Sequence, residues 1–452
     1  MLQRLRTAGE SIWEKLRTSL WFVPTLIVGG AVSLALGLIE LDSNSNRNQL
    51  TEDWPWLFGA GADGSRGLLS AIAGSMITVA GVTFSITIVA LALASSQYTP
   101  RILANFIRDR ANQAVLGVFL GVFAYSLVVL RTIRGGDDGV FVPAVAVLAA
   151  LALAFAAIAF LIFFIHHIAA SIQANSIIET AARETLRAID HSFPALVGDA
   201  IAEAPQAPPS LAVPSVPWSP IPGTKTGYVQ RVDGEVLFKM ACARGVTIRI
   251  ERGVGEFIIE GCPLVCISGA QIDDDLITRA NAAFTLGKQR TVTQDAAYGL
   301  RQLVDVALKA LSPGINDTTT ATTCIDFLGA ILARLVERPI EAPTRSDGKH
   351  LRLIPRGPTF AGLLREGVQQ IRQNAESNVA VLVRLLEALW FVIQRTTDTA
   401  RQHAILEQVQ WIADSADRGV AAAQDRATVH AAARRVREAA TSGGECPAAA
   451  QP

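Results

Sequence analysis

The chain has 452 residues, 50% of them hydrophobic, and a mean hydropathy of +0.34, an average that water-soluble proteins of this length rarely reach. Its 40 basic residues equal its 40 acidic ones, so the basic surplus that a nucleic-acid binder uses to neutralise phosphates is missing, and no nucleic-acid partner is expected. Charges crowd the chain from Glu179 onward while long uncharged windows fill residues 20–165, which divides it into a membrane half and a soluble half.

Four spans are predicted, each meeting the ~20 residues needed to cross a ~30 Å hydrocarbon core. The first, Trp21 to Ile39, is uncharged and ends in Gly37-Leu38-Ile39-Glu40 without a small-residue cleavage site, so it reads as a retained signal anchor and not as a removed signal peptide. The second lies between Arg66 and Arg101. Within it Gly74, Thr78, Gly81 and Ser85 follow the helical spacing i, i+4, i+7, i+11, with Ser75, Thr83 and Thr87 nearby. Such a stripe serves either close helix packing or the lining of a narrow pore built by several subunits. The third span, Ala111 to Leu130, carries a GxxxG at Gly117 and Gly121, flanked by Ala114 and Ala124. The fourth, Gly139 to Ile165, sets Ala149, Ala152, Ala156 and Ala159 on one face. Both are packing surfaces, and so many small faces on four helices predict contact between protomers in a homo-oligomer.

Basic residues set the orientation. Arg4, Arg6, Lys15 and Arg17 in the N-terminal tail, with Arg101, Arg108 and Arg110 between the second and third spans, outnumber Arg47, Arg66, Arg131 and Arg134 in the other two loops. The bias places the N-terminus in the cytoplasm and, after four crossings, the C-terminal half there too. Cys242, Cys262, Cys266, Cys324 and Cys446 all fall in the soluble half and form no CxxC pair, which fits a reducing compartment and neither a disulfide scaffold nor a structural zinc site. Asp, Glu, His and Lys are missing from the spans, where ion-coupled carriers place them, and the spans do not form two halves with matching broken helices. A secondary active transporter is therefore disfavoured.

His166 and His167 close the fourth span on a helix predicted to run on to about Ile189. Adjacent helical residues point about 100° apart, which does not suit the i, i+4 pair of a metal site. The alternatives are an interfacial or packing anchor and a pH-sensing pair. A linker follows with Pro205, Pro208, Pro209, Pro214, Pro217, Pro220 and Pro222, a density that forbids helix and favours an extended spacer. From about Gly227 to Ser268 the pattern changes to a small β module. Val246, Ile248 and Ile250 alternate with Thr247, Arg249 and Glu251 as in a half-buried strand, Gly255 to Leu264 reads as strand, turn, strand, and Asp233 to Arg244 reads as a helix between strands. The glycine and proline arrangement is similar to the small β-sandwich of biotinyl and lipoyl carrier domains. No Lys occurs from Ala241 to Gly287, so the likeness implies scaffolding and no swinging-arm cofactor.

Beyond Gln271 the chain reads as helical. Asp295 to Leu311 is amphipathic, with Leu300, Leu303, Val304, Ala307 and Leu308 on one side. It stops at Ser312-Pro313-Gly314-Ile315-Asn316-Asp317, where Asn316 or Asp317 caps a second helix or, alternatively, helps to form a ligand site at that helix start. Further helices are predicted at Thr359–Ala375, Val379–Ile393, Ala400–Arg418 and Ala421–Ala440. Val379–Ile393 is very apolar but short and carries Arg384 and Glu387, which can pair at i, i+3, so it is a buried helix and not a fifth span. No GxxxxGK[ST], HExxH, GxSxG or clustered His and carboxylate set is present, so no catalytic residue, metal or cofactor is assigned. The expected architecture is a membrane all-α bundle of four transmembrane helices (1–170), a helical extension and Pro-rich linker (171–225), and a cytoplasmic α+β region. That region comprises a small β-sandwich-like module (226–270), a helical domain (271–440) and a disordered tail (441–452).

With these residues laid out, the chain resembles the bacterial predicted membrane proteins grouped as domain of unknown function 2254. The matching stretches are Thr83-Phe84-Ser85-Ile86-Thr87-Ile88-Val89-Ala90-Leu91 through Ser95-Ser96-Gln97-Tyr98-Thr99-Pro100-Arg101, then Phe164-Ile165-His166-His167-Ile168-Ala169, Gly227-Tyr228-Val229-Gln230 and Leu311-Ser312-Pro313-Gly314-Ile315-Asn316-Asp317. A proline commonly follows the Asn-Asp pair in that family, and Thr318 replaces it here. The resemblance implies a multi-pass protein of the bacterial inner membrane, in contact with its lipids, and brings no activity or catalytic residue. Three functions are carried forward: a homo-oligomeric channel or conduit with a cytoplasmic regulatory domain; a membrane-anchored scaffold or sensor whose spans only tether the soluble domain; and a membrane enzyme acting on lipid through His166, His167 and Asp317.

Overall fold

A computed structural model describes residues 21–44, 61–97, 109–134, 141–171, 173–193, 216–269, 272–340 and 344–441. The basic N-terminal tail, Arg47, Arg101, Arg108, the prolines from Pro205 to Pro214, Cys446 and the tail beyond Thr441 lie outside the described residues. Contacts divide the chain into two units, Met1–Ser176 and Ile177–Pro452.

In the first unit the hydrophobic windows form α1 (Phe22–Asn44), α2 (Ala62–Gln97), α3 (Arg110–Thr132) and α4 (Ala144–Ser171). All four are long and apolar enough to cross a bilayer, and they overlap the four expected spans, although α4 begins at Ala144 and not at Gly139. α2 has 36 residues and so extends about 54 Å, well beyond the hydrocarbon core alone. α3 is the central helix, with α1, α2 and α4 all packed against it. Half of its most apolar window is buried within the protomer, against 11% for α1, which makes α3 the core of the bundle and α1 a peripheral helix. Val115, Phe119, Val122, Tyr125 and Val129 carry that burial. Lipid tails are as apolar as these side chains, so close packing and not hydrophobic transfer holds the helices together.

The second unit begins with α5 (Ala174–Ser192). One helix was expected from the fourth span to Ile189, but α4 ends at Ser171 and α5 starts anew at Ala174. The break falls where an all-round apolar surface gives way to a one-sided stripe, Ile178, Ala181, Ala182, Thr185 and Ile189, so the two segments require different surroundings.

Two sheets follow, built from β1 (Trp218–Pro222), β2 (Gly227–Val232), β3 (Thr247–Ile250), β4 (Phe257–Ile258), β5 (Pro263–Ser268), β6 (Phe284–Gly287), β7 (Arg345–Ser346) and β8 (Leu351–Ile354). Helices α6 (Gly234–Arg244) and α7 (Asp274–Ala282) lie between strands in the chain. The larger sheet has the order β1-β5-β3-β8-β7 and the smaller β4-β2-β6; every pair is antiparallel except β3 with β8. Both sheets and both helices share one core, including Ile221, Val229, Leu237, Ile248, Ile258, Leu264, Phe284 and Leu353. The strands extend beyond residues 226–270. Pro220 and Pro222, read as spacer, belong to β1, an edge strand, where proline's missing N–H is tolerated. The Val246–Ile250 segment is more buried than a half-buried strand, because it lies inside the sheet with β5 and β8 on either side. There even Thr247 is enclosed, donating its hydroxyl to the Leu351 carbonyl at 2.5 Å.

Six helices complete the unit: α8 (Ala296–Ala310), α9 (Thr318–Leu335), α10 (Phe360–Asn374), α11 (Val379–Ile393), α12 (Thr399–Gly419) and α13 (Ala423–Thr441). Short polar side chains start five of them. Asp295, Asp317, Thr359, Asn378 and Asp398 each accept a backbone N–H of the first turn. α5 belongs to this assembly: Thr185 abuts Gly299 of α8, where a Cβ would collide with it, and Asp190 accepts from Arg338 at 2.6 Å and from Arg334 at 3.1 Å. The expected Arg384–Glu387 pair forms at 2.8 Å, and Arg384 also reaches Asp326 of α9.

Candidate functional site

The residues of α2 that face the bundle are Leu69, Ile72, Met76, Ala80, Thr83 and Ala90, all buried. At about 100° per residue, Gly74, Thr78, Gly81 and Ser85 fall roughly 180° from the middle of that row. All four are exposed on the protomer, and a Cβ built on Gly74 or Gly81 meets nothing within 4 Å. The Thr78 hydroxyl donates to the Gly74 carbonyl one turn back, at 2.8 Å, and Thr87 does the same to Thr83. Of the neighbouring hydroxyls, Ser75 is exposed with the stripe and Thr83 turns inward. Among the described residues, therefore, nothing packs on the small face of α2.

The other small faces divide. The GxxxG of α3 is filled by α1: a Cβ on Gly117 would lie 2.8 Å from Ile27 Cδ1 and 3.0 Å from Pro24 Cα, and one on Gly121 would touch Ala31. On α4 the inward alanines are Ala146, Ala150 and Ala157, whereas Ala152, Ala156 and Ala159 are exposed and Ala149 is half-buried.

Each end of the bundle carries a carboxylate at a helix start. Asp109 caps α3, accepting the Ala111 N–H at 2.9 Å, and its second oxygen lies 2.5 Å from Nε2 of His167 near the end of α4. Both side chains are largely enclosed, and Phe163 stacks on the imidazole with ring centres 5.5 Å apart. His166 is exposed. Sequence reasoning identified both histidines and missed Asp109, the partner of His167, although an Asp directly before an apolar helix is a strong capping signal. One turn beyond Asp109, Asn112 is only 8% exposed, and neither end of its amide has a partner among the described residues. At the opposite end Asp42, on the last turn of α1, accepts from the backbone N–H groups of Val145 at 3.3 Å and Ala146 at 3.1 Å, so it closes the start of α4 from another helix. Tyr125 donates to the Ala146 carbonyl beside it.

In the second unit Asn316 has φ +50°, a left-handed conformation that Asn tolerates better than most residues, and it turns the chain from α8 into α9. Asp317 accepts from the Thr320 N–H at 3.0 Å and the Thr320 hydroxyl at 2.5 Å. The hydroxyl bond, reinforced by the backbone donor, holds its carboxyl below the usual carboxylate range. Thr318 occupies the first helical position, where a proline would lose no helical hydrogen bond. The arrangement accounts for Asn316 and Asp317 as turn and cap. His166 and His167 belong to the first unit and Asp317 to the second. Among the described residues no three His, Cys, Asp or Glu side chains are grouped to hold a metal, and Cys242, Cys262, Cys266 and Cys324 are unpaired.

Comparison with known proteins gives one family match, described as Predicted membrane protein (DUF2254), over residues 17–390. Proteins of Mycobacterium bovis and Mycobacterium tuberculosis, each described as an uncharacterized protein, are 34% identical over 440 residues, covering 95% of this chain and 82% of theirs. No solved structure matches.

Proposed function

Since the chain belongs to the DUF2254 family of predicted membrane proteins, we propose that it is a homo-oligomeric channel or conduit of the bacterial inner membrane. In this reading both termini are cytoplasmic, and the second unit regulates the pore. The observation that carries it is the uncovered small-polar face of α2. Among the described residues Gly74, Thr78, Gly81 and Ser85 lie open along one line of the protomer, while the GxxxG face of α3 is filled by α1. Several copies that bring α2 to a common axis would line a narrow path with hydroxyls and backbone carbonyls and no fixed charge, a surface that passes small solutes without ion coupling. At one end of the bundle His167 Nε2 lies within hydrogen-bond reach of Asp109, which places an ionisable pair beside such a pore.

Flux through proteoliposomes tests the reading. Thr78→Leu and Ser85→Leu are expected to abolish it and to leave assembly intact. Wild-type protein that passes no ion or solute above an inactive control, across pH and voltage, refutes it.

The tether reading has one observation in its favour: the second unit has its own cores and includes α5, so the spans are not needed to complete it. It predicts that a fragment lacking residues 1–170 retains the partners of the full chain, and retention by the full chain alone counts against it.

A further inference from the structure

We infer that a cleft between α11 and α13 binds a planar heteroaromatic anion of mononucleotide size, with a preference for a guanine-type ring. The inference is independent of the pore. The cleft has a volume of about 270 Å³ and is lined by Arg384, Glu387, Trp390, Phe391, Ala432 and Arg435. Its aromatic wall is a pair: Trp390 and Phe391 meet edge to face with ring centres 4.9 Å apart, and Phe391 is 60% exposed. A large ring left in water beside a second one is a stacking surface for another planar group.

The charges in the cleft are unequal in their freedom. Arg384 is satisfied three times over, by both oxygens of Asp326 at 2.5 and 2.8 Å and by Glu387 at 2.8 Å. Arg435 lies over the Trp390 ring at 5.4 Å and makes no ion pair or hydrogen bond among the described residues. This cation–π contact holds the guanidinium beside the indole and engages none of its N–H groups, which leaves them for a phosphate or carboxylate, the anions that arginine binds by two parallel bonds. Glu387 uses Oε2 for Arg384 and accepts nothing at Oε1 among the described residues. A free carboxylate oxygen beside a stacking wall selects rings that present N–H donors, as guanine does at its Watson–Crick edge and adenine does less well.

Size narrows the class further. At about 270 Å³ the cleft lies at the small end of the range of ligand pockets, which suits a mononucleotide and not a dinucleotide. Arg435 and Phe391 are both exposed, and the contacts that hold α13 to the bundle come from Val429, Ala433 and Val436 instead. Substitutions at the two positions should therefore leave the fold intact.

The test is calorimetric titration of the full chain in detergent micelles with GMP, AMP, guanosine and inorganic phosphate. GMP is expected to bind in the sub-millimolar range, AMP about tenfold more weakly and guanosine more weakly still. Arg435→Gln should weaken GMP about tenfold, and Phe391→Ala should weaken GMP and AMP alike, with thermal unfolding unchanged in both variants. Absence of GMP binding at about 5 mM, phosphate binding as tightly as GMP, or Arg435→Gln binding like wild type overturns the inference. Equal affinity for GMP and AMP overturns the role given to Glu387.

Discussion

Alanine substitution at three membrane glycines separates the two small faces of the bundle. At Gly117 the new methyl would lie 2.8 Å from Ile27 Cδ1, 3.2 Å from Ile27 Cβ and 3.0 Å from Pro24 Cα. The Ile27 tip can rotate away, but Pro24 Cα is backbone, so α1 and α3 must move apart. Overpacking of this kind costs about 1–3 kcal/mol. At Gly74 and Gly81 the same methyl meets nothing within 4 Å. Whatever alanine contributes through intrinsic helix preference is common to the three positions, so comparing them isolates the steric effect. Gly117→Ala is therefore expected to lower protomer stability by about 2 kcal/mol relative to Gly74→Ala and Gly81→Ala, roughly a thirtyfold change in the folded-to-unfolded ratio. Ile27→Ala should restore part of the loss. Steric trapping in bicelles reads the stability, and cross-linking of the same samples reads assembly, where Gly74→Ala and Gly81→Ala should show their effect. A Gly117→Ala protein as stable as the Gly74→Ala protein would refute the assignment of inner and outer faces.

Three further outcomes follow from the polar groups. Asp42→Ala removes the acceptor for two N–H groups at the start of α4 and should cost about 1–2 kcal/mol in the same trapping assay; no change would mean that the cap is dispensable. Asn112→Leu replaces a buried amide that has no partner among the described residues by a side chain of similar size and should stabilise the first unit by about 1–3 kcal/mol, whereas a loss would reveal a partner for that amide. Asp317→Asn should speed amide exchange in the first turn of α9. Because the folded carboxyl titrates below its unfolded value, its contribution is fully present above about pH 4 and disappears as pH falls through the lower folded value. The difference between variant and wild type should therefore be constant from about pH 5 to 8 and shrink in acid.

The elements legible in the sequence were those whose cause is local. Uncharged windows of bilayer length marked α1 to α4, apolar composition and periodicity marked α8 and α11 within a few residues, and Asn316 or Asp317 marked the start of α9. What escaped depends on partners far along the chain. The glycines at 74 and 81 and those at 117 and 121 look alike in sequence. Only the placement of Pro24 and Ile27 makes one pair a packing face and leaves the other open. The Asp109–His167 contact joins residues 58 positions apart, and nothing in the spacing of either announces the other. The four residues of β8 were too short to read as a strand, because their stability comes from lying beside β3. The break after Ser171 was hidden because helix-forming residues continue through it; the change in surroundings, not in propensity, ends α4.

The parallel alignment of β8 with β3 also sets an order of synthesis. Ile248 and Arg249 leave the ribosome about a hundred residues ahead of Leu353 and Ile354, against which they will lie. Until then one side of β3 offers unpaired amides and carbonyls to any passing strand. During that interval α8 and α9 are already emerging, so closure of the sheet must draw a finished helical hairpin back over its own beginning, a loop whose entropy slows the step. Any attempt to express the second unit in pieces meets the same constraint: a cut between residues 251 and 350 strands β3 with an open edge, and the smallest fragment that avoids this carries both strands and the helices between them.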